Sequence, residues 1–397
     1  MATYFRGAGL FDGTTGETRQ GVGVLVDAGT VQAVGAAPAG AEVVDLGDGI
    51  VVPGFVDAHT HVTIRPGEGD QHGQLVRPAV WQTIRGVANV AAMLRSGVTT
   101  ARTMTEEHDI DFEFRDAIER GEVAGPRLLV SGPGMSPPGG HGSAAGGVAG
   151  IDDLRAGVRA RAERGADHIK IFTTGGVSSE GTSLAVSQYS AEEIAAIVDE
   201  ARRAGLVVSA HAHGGPGVSL AVRNGIHSIE HGALLDDENL ALMQAADTWL
   251  TLTNTILFDA TGIEQGDAAR PDIIGKVMEA RASVERGIGR VREHGIRIAF
   301  GTDSMHGLIG GEAQWAVAHG WTPAEAMTAL TRNGGLLVGD PRAGVLTPGS
   351  RADFVVLARD PLTDIAAVRE VREVYRAGRR VVDQDGRLTA IDTRAAA

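Results

Sequence analysis

Gly54-Phe55-Val56-Asp57-Ala58-His59-Thr60-His61-Val62, entered through the apolar run Ile50-Val51-Val52-Pro53, sets the organisation of this chain. Apolar and β-favouring residues on both sides of His-Thr-His predict a buried strand, whose two-residue period puts both imidazoles on one face. Two imidazoles side by side at a strand end make half of a metal site. A bare His-x-His is as readily a pair of packed core histidines. What favours the metal is the position after Pro-Gly-Phe-Val-Asp, with further histidines and an aspartate spaced down the chain.

At 397 residues the chain exceeds the usual single-core size, which points to one large α/β domain with an accessory domain. Hydrophobic content of 43% and charged content of 22% are those of a globular protein. No apolar run reaches the roughly 18 residues that span a bilayer. The start, Met1-Ala2-Thr3-Tyr4-Phe5-Arg6-Gly7, lacks a basic region followed by a long apolar core, so a cytoplasmic location is expected. The net charge of −14, from 36 basic and 50 acidic residues, works against nucleic acid or an anionic membrane as partner. A small-molecule substrate is expected instead, and a homo-oligomer is left open. Zero cysteines exclude disulfides, thiolate ligands and a cysteine nucleophile, so any metal must be held by nitrogen and oxygen.

Residues 1–53 read as short strands: Thr3–Gly7, Gly21–Val26, Thr30–Val34 and Glu42–Leu46. Four such strands bury too little surface to stand alone. From about Gly344 the sequence returns to the same texture in Ala352–Leu357, Val368–Gly378 and Arg379–Val382, which predicts a small β-sandwich formed by both chain termini, residues 1–53 with 344–397. The last residues, Thr393–Ala397, are expected to fray. Between the termini, residues 54–343 carry eight strand-like runs: the His-Thr-His run, Gly97–Thr103, Pro126–Gly132, His168–Thr173, Leu206–His211, His227–His231, Trp249–Thr253 and Ile296–Asp303. Helical patterns separate them, including Val80–Arg95, Asp152–Arg164 and Ala191–Ala204, the last opened by Ser190 and Glu193 as a capping box. Eight repeats over about 290 residues fit the α/β class as a (β/α)8 TIM barrel. A doubly wound sheet would carry a glycine-rich phosphate turn after its first strand, which is missing here.

Barrel enzymes place their chemistry at the carboxyl ends of the strands. The polar residues there are His59 and His61 on strand one, Lys170 on strand four, His211 on strand five, His231 on strand six and Asp303 on strand eight. Four imidazoles, a carboxylate and a lysine describe a site for two divalent metal ions bound through nitrogen and oxygen, Zn2+ first, with Mn2+ or Co2+ as alternatives. An ammonium has no lone pair and repels a cation. N-carboxylated by CO2, however, Lys170 becomes an anionic carbamate able to bridge two ions, and a desolvated lysine of lowered pKa suits that reaction.

These residues resemble the amidohydrolase superfamily, in particular imidazolonepropionase-like and Xaa-Pro dipeptidase-like enzymes. The matching segments are Pro53–His61, Ile169–Val177, Ala210–Gly214, Ser228–Gly232, Gly301–Asp303 and Gly349–Leu357. The resemblance implies that His59, His61, Lys170 and Asp303 hold one metal and that Lys170, His211 and His231 hold the second. It implies a metal-bridging hydroxide as nucleophile, with Asp303 shuttling the proton to the leaving nitrogen. The expected reaction is hydrolysis of an amide-like C–N bond in a dipeptide, N-acyl amino acid or related small amide. Lactonase, phosphotriesterase and carbamate or urea hydrolase are alternatives on the same site, and a non-enzymatic scaffold is disfavoured because all six ligands are kept.

The Ile169–Val177 context and the Pro138-Gly139-Gly140-His141-Gly142 turn look like the Xaa-Pro dipeptidase, aminoacyl-arginine or lysine carboxypeptidase and ochratoxin-hydrolase group. By that likeness His141 contacts the scissile carbonyl. Those peptidases commonly carry tyrosine two residues after the strand-five histidine, where this chain has His213, a second candidate donor to the carbonyl. Arg65, Arg77 and Arg102 are candidates for binding a substrate carboxylate, though surface or salt-bridge roles are expected for each. His306 is placed at the mouth. His72, His108, His168, His227, His294 and His319 read as structural. The segments 139–147 and 175–181 are expected to be active-site loops.

Overall fold

Eight runs rich in valine, isoleucine, leucine and threonine are apolar on both faces, the pattern of strands covered on each side by helices. In the computed structural model, which describes residues 2–144 and 146–389, they form parallel strands in two sheets. One sheet holds Phe55–Thr60, Val98–Thr103 and Arg127–Leu129. The other runs Ile169–Phe172, Val208–Gly214, Ser228–Leu234, Trp249–Leu252 and Ile298–Phe300. Hydrogen bonds link the two sheets at two places. At one, Met135 N donates to Lys170 O at 2.9 Å and Phe172 N to Met135 O at 3.0 Å. At the other, Asp303 N donates to His59 O at 2.9 Å, and Thr302 N to the Asp57 carboxylate at 3.0 Å. The strands around residues 126–132 and 296–303 are shorter than expected, because the chain leaves the ladder to make these contacts.

Helices follow the strands, among them Ala79–Arg95, Ile151–Arg164, Ala191–Arg203 and Pro271–Glu293. The expected capping box is present: Ser190 Oγ accepts from Glu193 N, and the Glu193 carboxylate accepts from Ser190 N. Among the described residues no helix is long and apolar enough to cross a membrane.

The termini build two further sheets. Ile50–Pro53 is a strand in its own right, antiparallel to Phe354–Leu357, in a six-stranded sheet that also contains Gly9–Phe11, Thr18–Gln20, Val371–Arg376 and Arg379–Val382. Thr30–Gly35, Gly23–Asp27, Thr3–Arg6 and Glu42–Asp45 form a four-stranded sheet. Phe5, Val24, Val26 and Val31 of the latter share a buried cluster with Leu10, Val51, Phe354 and Tyr375 of the former. The lead-in run and the histidine strand therefore belong to different sheets, and Gly54 is the joint. A side chain at Gly54 would collide with Thr99, so the bend needs glycine. The strands Gly9–Phe11 and Thr18–Gln20 are absent from the sequence expectation. The expected frayed end, Thr393–Ala397, lies outside the described residues.

Candidate metal centre

The parallel register sets the depth of each polar side chain. Phe172 pairs with His211, and Ala212 with His231, so the two imidazoles project from adjoining strands near one level. Lys170 pairs with Ser209, two residues below His211, and its longer side chain reaches the same cleft from deeper in the sheet. His59 is the penultimate residue of the first parallel strand, and His61 follows that strand directly. Asp303 lies beyond Phe300 in the left-handed region at φ 46°, and His231 is at φ 77°. Neither is glycine, and such backbone strain collects at functional sites.

These residues converge. Asp303 Oδ1 stands 3.4 Å from His59 Nε2 and 3.3 Å from His61 Nε2, and Asp303 Oδ2 stands 3.8 Å from His231 Nδ1. The His59 and His231 ring centres are 4.6 Å apart, as are those of His211 and His231, and those of His211 and His213 are 4.8 Å apart. Lys170 lines the same cleft.

Partners behind the rings aim them. His59 Nδ1 is 2.9 Å from Glu230 Oε2, and His61 Nδ1 is 3.0 Å from the Thr105 carbonyl, so each donates from Nδ1 and turns an Nε2 lone pair inward. Among the described residues His59 Nε2 is buried without a hydrogen-bond partner, and both nitrogens of His213 are in the same condition. Buried imidazole nitrogens without partners beside a carboxylate fit a cation. His59, His61 and Asp303 alone could hold one ion.

Electrostatics agree with that fit. Burial pushes Asp303 upward, yet the adjoining imidazoles of His59, His61 and His231 hold it well below the usual carboxylate range. Burial drops His213 to about 4, so the ring is neutral at physiological pH. Burial also pulls the Lys170 ammonium down to about 8, which leaves an appreciable neutral amine fraction near neutrality. Its Nζ lies 5.1 Å from the Phe172 ring centre and has no hydrogen bond among the described residues.

The family model described as the amidohydrolase family matches residues 50–381. This chain belongs to the amidohydrolase family. It is 29% identical over 367 residues to an ochratoxinase of Aspergillus niger, an alignment covering 83% of this chain and 75% of that one. A prolidase crystallised with N-methylphosphonate-L-proline superposes with a TM-score of 0.89 at 30% identity, covering 96% of this chain and 99% of its own. A Xaa-Pro dipeptidase with methionine bound in the active site gives 0.88 at 26% identity, with the same coverage. The likeness carries a TIM-barrel α/β fold and an enzyme of the hydrolase class. Amidohydrolases generally bind divalent metals, and the His59, His61 and Asp303 group can hold one here.

Several side chains fall elsewhere than the sequence suggested. Arg102 does not face the cleft. It is buried, with Nε on the Ala58 carbonyl at 2.7 Å and a terminal nitrogen on Glu230 at 2.8 Å, so it braces the carboxylate that orients His59. Burial pushes Glu230 upward, but Arg102 and the His59 hydrogen bond hold it well below the ordinary range. Arg65 bonds Asn89, and Arg77 covers Trp81, both away from the cleft lining. His306 stands behind the site with Nε2 on the His61 carbonyl at 3.0 Å. His168, His227 and His319 bond the carbonyls of Thr103, Leu337 and Trp315, as structural histidines do. His72, read as structural, lines the cleft beside His141. Glu230 lay inside a quoted motif without a role; its signal was a carboxylate next to a ligand histidine on a buried strand.

Proposed function

We propose that this protein is a metal-dependent hydrolase that cleaves an amide-like C–N bond using two divalent ions, Zn2+ first among the candidates. The reading is carried by one observation: Asp303 lies within 3.4 Å of the inward nitrogens of both His59 and His61, on a cleft also lined by His211, His231 and Lys170. His59, His61, Asp303 and N-carboxylated Lys170 would hold the first ion, and Lys170, His211 and His231 would hold the second. When bound, such ions turn water into a nucleophile near neutral pH and polarise the scissile carbonyl.

The chain's own groups do the rest. Asp303, ionised despite burial, takes the proton of the attacking water on its carboxylate and delivers it to the leaving nitrogen as the C–N bond breaks, leaving an acid and an amine. His141 and neutral His213 line the cleft, where they donate to the charge that develops on the carbonyl oxygen. The cleft, counted with its open mouth, holds about 620 Å³ of space. Ile64, Leu75, Val177, Ile256, Leu257 and Ile263 wall it. They exclude water and receive an apolar group of the substrate. In this reading residues 54–343 carry the catalysis on a closed barrel, and residues 1–53 and 344–397 form the accessory sandwich.

The test is a panel of N-acyl amino acids, dipeptides, lactones, phosphotriesters and ureas, given to enzyme loaded with zinc, manganese or cobalt in bicarbonate. Amine release from an apolar N-acyl amide, abolished by chelation and restored by metal, is the expected result. Turnover of lactones or phosphotriesters with none of amides overturns the C–N assignment.

A further inference from the structure

The mouth of the cleft holds a cluster that the six ligands do not explain. Ser179 Oγ stands 2.6 Å from His141 Nδ1 and 2.9 Å from His72 Nε2, and those two nitrogens are 3.2 Å apart. The three groups come from separate places: His72 from the short helix Gln71–Leu75, His141 from the turn after the third parallel strand, and Ser179 from the glycine-rich segment after the fourth. Each is anchored. Gln188 Oε1 accepts from His141 N at 2.8 Å, and Lys276 Nζ donates to Ser179 O at 2.6 Å. Gly176 lets the His141 ring lie directly on the backbone, since any side chain at that position would overlap the ring. The His141 ring centre is 4.3 Å from that of His211, so the cluster abuts the ligands.

A neutral imidazole has one N–H, and a serine hydroxyl can accept one hydrogen bond while donating another. The His72, Ser179, His141 chain is therefore directional. With the proton on His72 Nε2, that nitrogen donates to Ser179 Oγ, whose own proton goes to His141 Nδ1. His141 must then carry its proton on Nε2, the nitrogen with no partner among the described residues. In the opposite direction His141 Nε2 would be a bare lone pair, unable to donate to a carbonyl oxygen. Consecutive hydrogen bonds polarise one another, so the shortest link, Ser179 to His141, is strengthened by the one behind it.

We propose that Ser179 and His72 are positioning residues that lock His141 in the Nε2–H tautomer, so that it donates to the oxygen of the scissile carbonyl. The proposal rests on the amide-hydrolase reading for its consequence and for the direction chosen along the chain, and on the hydrogen-bond geometry for the link between the three groups. Ser179 is thus linked to rate without touching substrate. Ser179→Ala removes the link, Ser179→Thr keeps a hydroxyl, and His72→Phe removes the far donor.

The test uses full-length, zinc-loaded protein with 15N-labelled histidine, the His141 signals being identified by their loss in His141→Gln. Wild type is expected to show Nε2–H at His141, Ser179→Ala a mixture of tautomers, and Ser179→Thr the wild-type pattern. Metal content should stay unchanged, while kcat for the best amide falls about 10- to 100-fold in Ser179→Ala with a smaller change in KM, and recovers in Ser179→Thr. His72→Phe should give a weaker version of the same pair of effects. An Nδ1–H tautomer in wild type, or an unaltered tautomer and kcat in a folded Ser179→Ala, overturns the proposal. The spectrum needs no turnover, so a wild-type enzyme inactive on amides but showing Nε2–H would sink the substrate reading and leave the relay standing.

Discussion

The two halves of the centre are built differently. On the side of His59, His61 and Asp303, each residue is held in place: the His59 ring by Glu230, the His61 ring by the Thr105 carbonyl, and the Asp303 backbone by its N–H bond to His59 O. On the side of Lys170, His211 and His213, the lysine nitrogen has no hydrogen bond among the described residues, both His213 nitrogens are unpartnered, and His211 reaches only the Gly175 carbonyl at 3.2 Å. His231 belongs to both, bonded at 2.7 Å to Thr253 and near Asp303. The first half is preorganised by the fold, while the second, in the proposed two-ion reading, would be completed by what it binds. Orienting partners are what fix a ligand's geometry in advance, so the first half should take an ion more readily.

The largest effect should come from breaking the preorganised half. Asp303→Ala removes both the proposed ligand and the proposed proton carrier and is expected to lower kcat by about 10⁴-fold, checked by steady-state kinetics alongside metal analysis. Lys170→Ala strikes the other half. It should cost about 10³-fold in turnover and lower the bound metal from two ions to one without unfolding the protein, as read by metal analysis and a melting curve. Equal loss of both ions would erase the distinction between the halves.

Glu230→Gln tests the brace. The metal affinity of the His59 side should weaken about 10- to 100-fold in a chelator competition. Stability should fall by about 3–5 kcal/mol in denaturant unfolding, because Arg102 stays buried without its counter-charge. His213→Phe should leave the metal content intact and reduce kcat/KM by about tenfold; loss of an ion would move His213 into the ligand set.

Glu312, which lies in neither half, supplies the smallest test. Burial raises its carboxyl to about 8, against the lowering effect of Thr255, whose hydroxyl donates to it at 2.7 Å. A raised folded pKa contributes stability that is fully present below the ordinary value near 4.5 and is lost as pH rises through about 8. Wild type should therefore gain stability relative to Glu312→Gln as pH falls from 8 towards 5, at up to about 1.4 kcal/mol per unit of pKa shift, measured by denaturant unfolding at several pH values. A pH-independent difference between the two proteins would show that this carboxyl titrates normally.

The proposed ligands could be picked out in the sequence because each lies on or just beyond an apolar strand that is itself recognisable, and strand ends in this architecture point to one face. The braces were not. Whether Arg102 turns into the sheet stack or out to a cleft depends on Glu230, 128 positions away, and no local pattern reports that pairing. His72 sits on a five-residue helix whose facing is set by the loops around it, and its neighbours Ser179 and His141 come from two other loops. His306 follows Asp303 closely, but the left-handed turn at Asp303 and Ser304 carries it behind His61. The strands Gly9–Phe11 and Thr18–Gln20 have little propensity of their own and exist through pairing with Ile50–Pro53 and with each other.

The most direct measurement titrates metal-free enzyme with zinc in bicarbonate, following bound metal, the mass of the Lys170 peptide region in the intact protein and amide turnover at each addition. Two ions per chain, carboxylated lysine and turnover that appears with the second ion are the predicted result. Full turnover with a single ion, or with an unmodified lysine, would contradict it.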